Sequence, residues 1–172
     1  RSISGGEQLG AGGVLGNARP HGIGHQLALK GVEGLVDDAQ AQGVAAGDAL
    51  FHQVQGGQPI LFIPCQDGRF FDFENFHMTD VWAPWIDVGQ VCVFSIDTID
   101  RETWSDTWGN AEYRSQLYEN WIRYITDEMV PFMRKMVNEM NGWTGYPGII
   151  AFGCSLGAAH AANLYFRRPD LF

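Results

Sequence analysis

One pentapeptide in this chain has the residue types and spacing for covalent catalysis: Gly153-Cys154-Ser155-Leu156-Gly157. A serine with glycine two residues before and two after suits a sharp reversal from strand to helix. The hydroxyl stands at the tip in a strained backbone conformation, and the flanking residues pass too closely for side chains. Such a turn offers the hydroxyl to a carbonyl carbon. It also offers the Leu156 N–H, at the start of a helix, to the oxyanion that would develop. The chemistry would be acyl transfer through a covalent acyl-serine. A bare G-x-S-x-G occurs by chance, so its context matters. Here an apolar run, Ile149–Phe152, precedes it. A helix with small early residues (Ala158, Ala159, Ala161 and Ala162) follows, and Arg167, Arg168 and Pro169 close that helix.

A serine hydroxyl needs a base, and the chain is poor in candidates. In sheet enzymes with this turn the order is nucleophile, acid, histidine, yet no histidine follows His160. His160 lies five residues past Ser155, rotated by about 140° on the helix, and is expected to be a packed, hydrogen-bonded histidine. His77 falls in a loop that could approach the site, but no acid partner is evident. Asp97 ends a strand and is expected to cap a loop. Cys154, beside the serine, is expected to point away from the cleft and is not the nucleophile. The segment Trp104-Ser105-Asp106-Thr107-Trp108-Gly109 is an aromatic loop on the same edge. Trp104 and Trp108 either line a substrate pocket or, the more economical reading, cover the sheet with half-buried rings.

The elements that would position these residues can be read from the apolar pattern. Ile60–Pro64, Val91–Ile96 and Ile149–Phe152 are short continuous apolar runs, as in strands covered on both faces. A helix around Thr79–Val88 joins the first two. Leu117, Trp121, Ile125, Met129, Phe132, Met136 and Met140 recur at helical spacing, with a division expected near Val130 because of Pro131 and a stop at Gly142. Alternating strands and helices predict an α/β fold with a doubly wound, mainly parallel sheet and neighbours in the order 91–96, 60–64, 149–152.

The segment Tyr146–Phe172, YPGIIAFGCSLGAAHAANLYFRRPDLF, resembles the elbow region of the esterase D-like family of α/β-hydrolases. Ile60–Phe76, ILFIPCQDGRFFDFENF, resembles the oxyanion strand and loop of one branch of that family, and Glu119–Phe132 resembles the helix before the elbow strand. The likeness covers residues 58–172. It implies a partial α/β-hydrolase fold, truncated after the nucleophile helix, with the triad acid and histidine expected beyond Phe172. It also implies a serine hydrolase of carboxylic esters or thioesters with no cofactor or metal. Ser155 would be catalytic, Gly153 and Gly157 would form the elbow, and the N–H groups of Leu156 and Gln66 would form the oxyanion hole. Cys65 and Asp67 are the other candidates for the second donor, and the Gln66 side chain is equally readable as a solvated turn residue. An acyltransferase on the same fold is the first alternative, and a non-catalytic binding module on this scaffold is the second.

Composition divides the chain near residue 57. Residues 1–57 hold 14 of the 22 glycines and a single aromatic, Phe51, so little bulky surface offsets the entropy of ordering them. This Gly-rich segment lies outside the resemblance. It is expected to be poorly structured, of aberrant origin, with at most a short helix near Gly34–Gln42, and to add little to the sheet. Its Gly10–Gly16 stretch, with Glu33 and Asp37 downstream, loosely imitates a dinucleotide fingerprint but lacks the strand that must feed it. His21 and His25 are four apart, with glycines between them and no third ligand. A start at Arg1 instead of Met suggests a fragment. The net charge of −9, with basic residues scattered, argues against nucleic acid and anionic membranes as partners. No run is long enough to span a bilayer, and no secretory signal is evident. Cys65, Cys92 and Cys154 read as buried free thiols in a reducing, cytoplasmic setting. The expected partner is a small-molecule ester, with a homo-oligomer left open.

Overall fold

A computed structural model describes residues 25–29, 49–53, 56–145 and 147–172. Five strands form one mixed sheet: β1 (His25–Leu29), β2 (Ala49–Gln53), β3 (Gln58–Ile63), β4 (Val91–Ile96) and β5 (Ile150–Gly153), in the order β1-β2-β4-β3-β5. The predicted core of three parallel strands is present, with β4, β3 and β5 adjacent as expected. Ile60 pairs with Val93 on one side and with Ile150 on the other.

The Gly-rich half departs from expectation. β1 and β2 pair antiparallel, and β2 pairs antiparallel with β4, so residues before 57 extend the same sheet. The sheet is therefore mixed and not mainly parallel. The reason lies in the backbone. The free edge of β4 carries a row of N–H and C=O groups that need partners, and a ladder can supply them without bulky side chains. The expected helix near 34–42, the Gly10–Gly16 stretch with Glu33 and Asp37, and His21 lie outside the described residues. His25 stands on strand β1, not on a helix.

Helices cover both faces of the sheet. On one face, α1 (Asp72–Asn75) and α2 (Met78–Ile86) pack Phe73 and Ile86 against Ile60, Phe62 and Val93. On the other, α3 (Ala111–Tyr124), α4 (Val130–Asn141) and α5 (Leu156–Arg167) enclose a larger core with Leu61, Ile63, Phe94 and Ile96 at its base. Alternate residues of β3 thus serve opposite cores, as the strand period of two requires. Each fully buried aliphatic or aromatic side chain here contributes roughly 1.5–3 kcal/mol.

Pro131 divides the long helix as predicted, through one π-helical turn, Ile125–Met129, immediately before α4. A π turn inserts an extra residue and rotates the rest of the helix about its axis. Consequently Val130, Met133 and Val137 are buried, while the predicted Phe132, Met136 and Met140 only flank the core. Gly142 ends α4 at φ 65, in the left-handed region that favours glycine. No helix among the described residues is long and apolar enough to cross a membrane.

Candidate active site

β5 runs into Cys154 and Ser155, and α5 begins at Leu156, so the reversal takes two residues. Ser155 has φ 56 and ψ −126, a conformation costing a side-chain-bearing residue ~1–3 kcal/mol. Its side chain is exposed. The flanking glycines are required by contact. A Cβ on Gly153 would lie 2.5 Å from the Gly157 carbonyl carbon, and one on Gly157 would lie 2.2 Å from the Pro64 oxygen. The turn is therefore pressed against the end of β3, where the loop with Cys65, Gln66 and Asp67 begins.

The first N–H groups of α5 are divided between two uses. Gly157 donates to Cys154 O, and Ala158 and Ala159 donate to Ser155 O. Leu156 N–H has no acceptor among the described residues, and neither has Gln66 N–H across the gap. Of the three candidates for the second donor, Asp67 is excluded because its N–H donates to Asp100 Oδ2 at 3.2 Å. The turn itself is closed by Gly68 N–H on Cys65 O at 2.9 Å, with Asp67 at φ 58. The Gln66 side chain is not merely solvated: its Nε2 donates to Ser105 Oγ at 2.8 Å, and that hydroxyl donates to Asp67 Oδ1 at 2.6 Å.

Beneath this loop lies a buried polar chain. His160 and Asp100 are each 1% exposed, so their pairing is unscreened by water. His160 Nε2 and Asp100 Oδ1 are 2.9 Å apart, and Tyr118 Oη and His160 Nδ1 are also 2.9 Å apart. Burial raises the Tyr118 phenol above its ordinary pKa, so it stays protonated, and its oxygen also accepts from Asn163 Nδ2 at 3.0 Å. Trp104 and Trp121 meet the imidazole edge-on. His160 is the packed, hydrogen-bonded histidine that its position predicts. With both ring nitrogens engaged it has none left for Ser155.

The other predicted residues have structural partners. Asp97 caps the loop after β3, accepting from Phe70 N–H at 2.7 Å and from Arg69 Nε at 2.9 Å. His77 does have a carboxylate beside it, with Nδ1 3.4 Å from Asp80 Oδ2, but both side chains are largely exposed and His77 has no hydrogen bond to Ser155. Trp104 and Trp108 part company. Trp104 rests on Tyr118 and lines a shallow cavity of about 240 Å³ with Thr103 and Arg114, while Trp108 is 97% exposed. Of the small residues on α5, only Gly157 and Ala161 face the sheet; Ala158, Ala159 and Ala162 are exposed.

Cysteine placement also differs from expectation. Only Cys92 is buried; Cys65 is half-buried and Cys154 is exposed. Sequence reasoning missed Asp100 and Tyr118, and it placed Ser105 in the aromatic loop without its link to Gln66 and Asp67. The available signal was His160 itself, three residues past the inward-facing Gly157, where a buried imidazole demands partners. No group of three or more His, Cys, Asp or Glu side chains suited to a metal occurs among the described residues. In comparisons with known proteins, the chain matches no family model, no curated protein and no solved structure.

Proposed function

We propose that this chain carries the nucleophile and oxyanion hole of a serine hydrolase of the α/β-hydrolase type, acting on carboxylic esters or thioesters through an acyl-enzyme on Ser155. The observation that carries this reading is the exposed, strained Ser155 between two glycines that cannot bear side chains, with the unsatisfied N–H of Leu156 following it. Strain of this kind persists only where the surroundings over-determine it, and an exposed serine gains nothing structural from it.

In the proposed mechanism, Ser155 Oγ attacks the ester carbonyl carbon while its proton passes to water, which returns a proton to the departing group. The Leu156 and Gln66 N–H groups receive the oxyanion, and the alkoxide or thiolate leaves. Water then releases the acid from the acyl-serine. Asp100 holds Asp67 N–H and thereby fixes the loop that presents Gln66.

No histidine is hydrogen-bonded to Ser155 among the described residues, so the 172-residue chain should react slowly. Oxyanion donors and binding alone leave about 10³ over water. A fluorophosphonate probe, which forms a phosphonyl ester with the serine, should label wild type slowly and Ser155→Ala not at all. Labelling that survives Ser155→Ala, or no labelling of the wild type after prolonged incubation, would refute the assignment.

A further inference from the structure

The three thiols of this chain have different fates. Cys92 is 0% exposed in the larger core, and burial pushes its thiol well above the usual range, so it is inert. Cys65 and Cys154 lie at the catalytic edge instead. β3 and β5 are parallel neighbours with Ile63 opposite Gly153. Continued in that register, Cys154 falls opposite Pro64, one residue before Cys65, so the two cysteines leave the sheet as diagonal neighbours. The Cys154 side chain is close enough to influence the Cys65 thiol. Adjacent strands are about 4.8 Å apart and one residue of offset adds about 3.3 Å along them, so a diagonal pair of Cα atoms lies about 6 Å apart, within the roughly 4.4–6.8 Å that a disulfide spans. The close passage of Gly157 past Pro64 O holds the two backbones together at this point.

We propose that Cys65 and Cys154 form a reversible disulfide that ties the oxyanion loop to the turn carrying Ser155. The oxidant is a peroxide. The exposed Cys154 thiol reacts first, giving a sulfenic acid and one water. The Cys65 sulfur then attacks the Cys154 sulfur, and the S–O bond breaks with loss of a second water. Two thiols are oxidised by two electrons, and hydrogen peroxide is reduced to two waters. A dithiol such as dithiothreitol reverses the bond by exchange. Burial and the neighbouring Cys154 side chain hold the Cys65 thiol above its ordinary pKa, which disfavours it as the thiol that meets the peroxide; its attack in the second step is favoured by proximity instead. The bond would stand one residue before Ser155 and one before Gln66. Rotating either cysteine into disulfide geometry shifts a backbone donor of the proposed oxyanion hole, so oxidation slows acylation. This consequence, unlike the bond itself, rests on the proposed function.

The test uses the full 172-residue protein, treated with one equivalent of hydrogen peroxide, denatured, alkylated with iodoacetamide and digested. The expected product is a peptide pair joined through Cys65 and Cys154, lost on dithiothreitol treatment, with Cys92 alkylated. Cys65→Ser and Cys154→Ser should each abolish it, and the wild-type cross-link stands as the readout if either variant folds poorly. Alkylation of both cysteines in oxidised wild type, or Cys154 recovered as sulfinic acid, would overturn the disulfide. Fluorophosphonate labelling of Ser155 should fall at least tenfold on oxidation and return on reduction. A cross-link in a protein whose reduced form never labels would sink the hydrolase reading and leave the disulfide standing. Normal labelling without a cross-link would do the reverse.

Discussion

A Cβ on Gly157 would sit 2.2 Å from the Pro64 carbonyl oxygen, and that oxygen belongs to backbone that cannot swing aside. Gly157→Ala should therefore cost about 1–3 kcal/mol, the overpacking range, seen as a lower urea midpoint, and should also reduce Ser155 labelling by moving the turn off β3. Asp100 poses a different problem at the same scale. It is buried and holds both His160 and the Asp67 N–H. Asp100→Ala leaves the imidazole without its acceptor in a site closed to water, at an expected cost of about 3 kcal/mol. Asp100→Asn keeps an acceptor oxygen and should cost clearly less. Equal urea midpoints for Asp100→Ala and wild type would show that the buried chain adds nothing to stability.

At the scale of elements, helix ends separate strain from collision. Gly142 ends α4 at φ 65, yet a Cβ added there would meet nothing within 4 Å. Gly142→Ala should cost about 1 kcal/mol from backbone conformation alone, and Gly142→Asn less, because asparagine tolerates the left-handed region. Thermal denaturation of the two variants checks the order. Asn110 opens α3 with its side-chain oxygen on the Tyr113 N–H at 3.0 Å, and its replacement by alanine should cost ~1 kcal/mol. The π turn before α4 shows how one proline redirects a helix: it changes which later residues reach the core, not whether the helix continues.

Across the whole molecule, the sheet and one surface pair make separate predictions. β2 is hydrogen-bonded to strands on both sides, so amides of residues 49–53 that donate within the ladder should exchange at least about 100-fold more slowly than in an unfolded chain. Exchange at the unfolded rate would remove β2 from the sheet. Glu119 on α3 meets Arg167 on α5 through two hydrogen bonds of 2.6 and 2.8 Å, which lower the carboxyl pKa from its ordinary 4.5. Both side chains are 40–48% exposed, so the pair contributes under about 1 kcal/mol after screening. A lowered folded pKa gives stability that is present above the unfolded value and lost as pH falls through the folded one. The stability gap between wild type and Glu119→Gln should accordingly be present at pH 7 and close in acid.

The sequence alone determined the local features of this protein, because local pattern is what a sequence displays. Continuous apolar runs marked β3, β4 and β5 within one or two residues of their ends. Spacing marked the divided helix, and G-x-S-x-G marked the strained serine. The tertiary structure decided everything that depends on which distant groups meet. β1 and β2 join the sheet through backbone hydrogen bonds, which leave almost no trace in side-chain composition. The burial of Met133 and Val137 in place of Phe132 and Met136 comes from one inserted turn that no periodicity announces. Asp100 finds His160 60 residues away, and Cys65 comes beside Cys154, because β4, β3 and β5 end together at one edge of the sheet. Such pairings are fixed by strand order and register, properties of the folded chain and not of any segment within it.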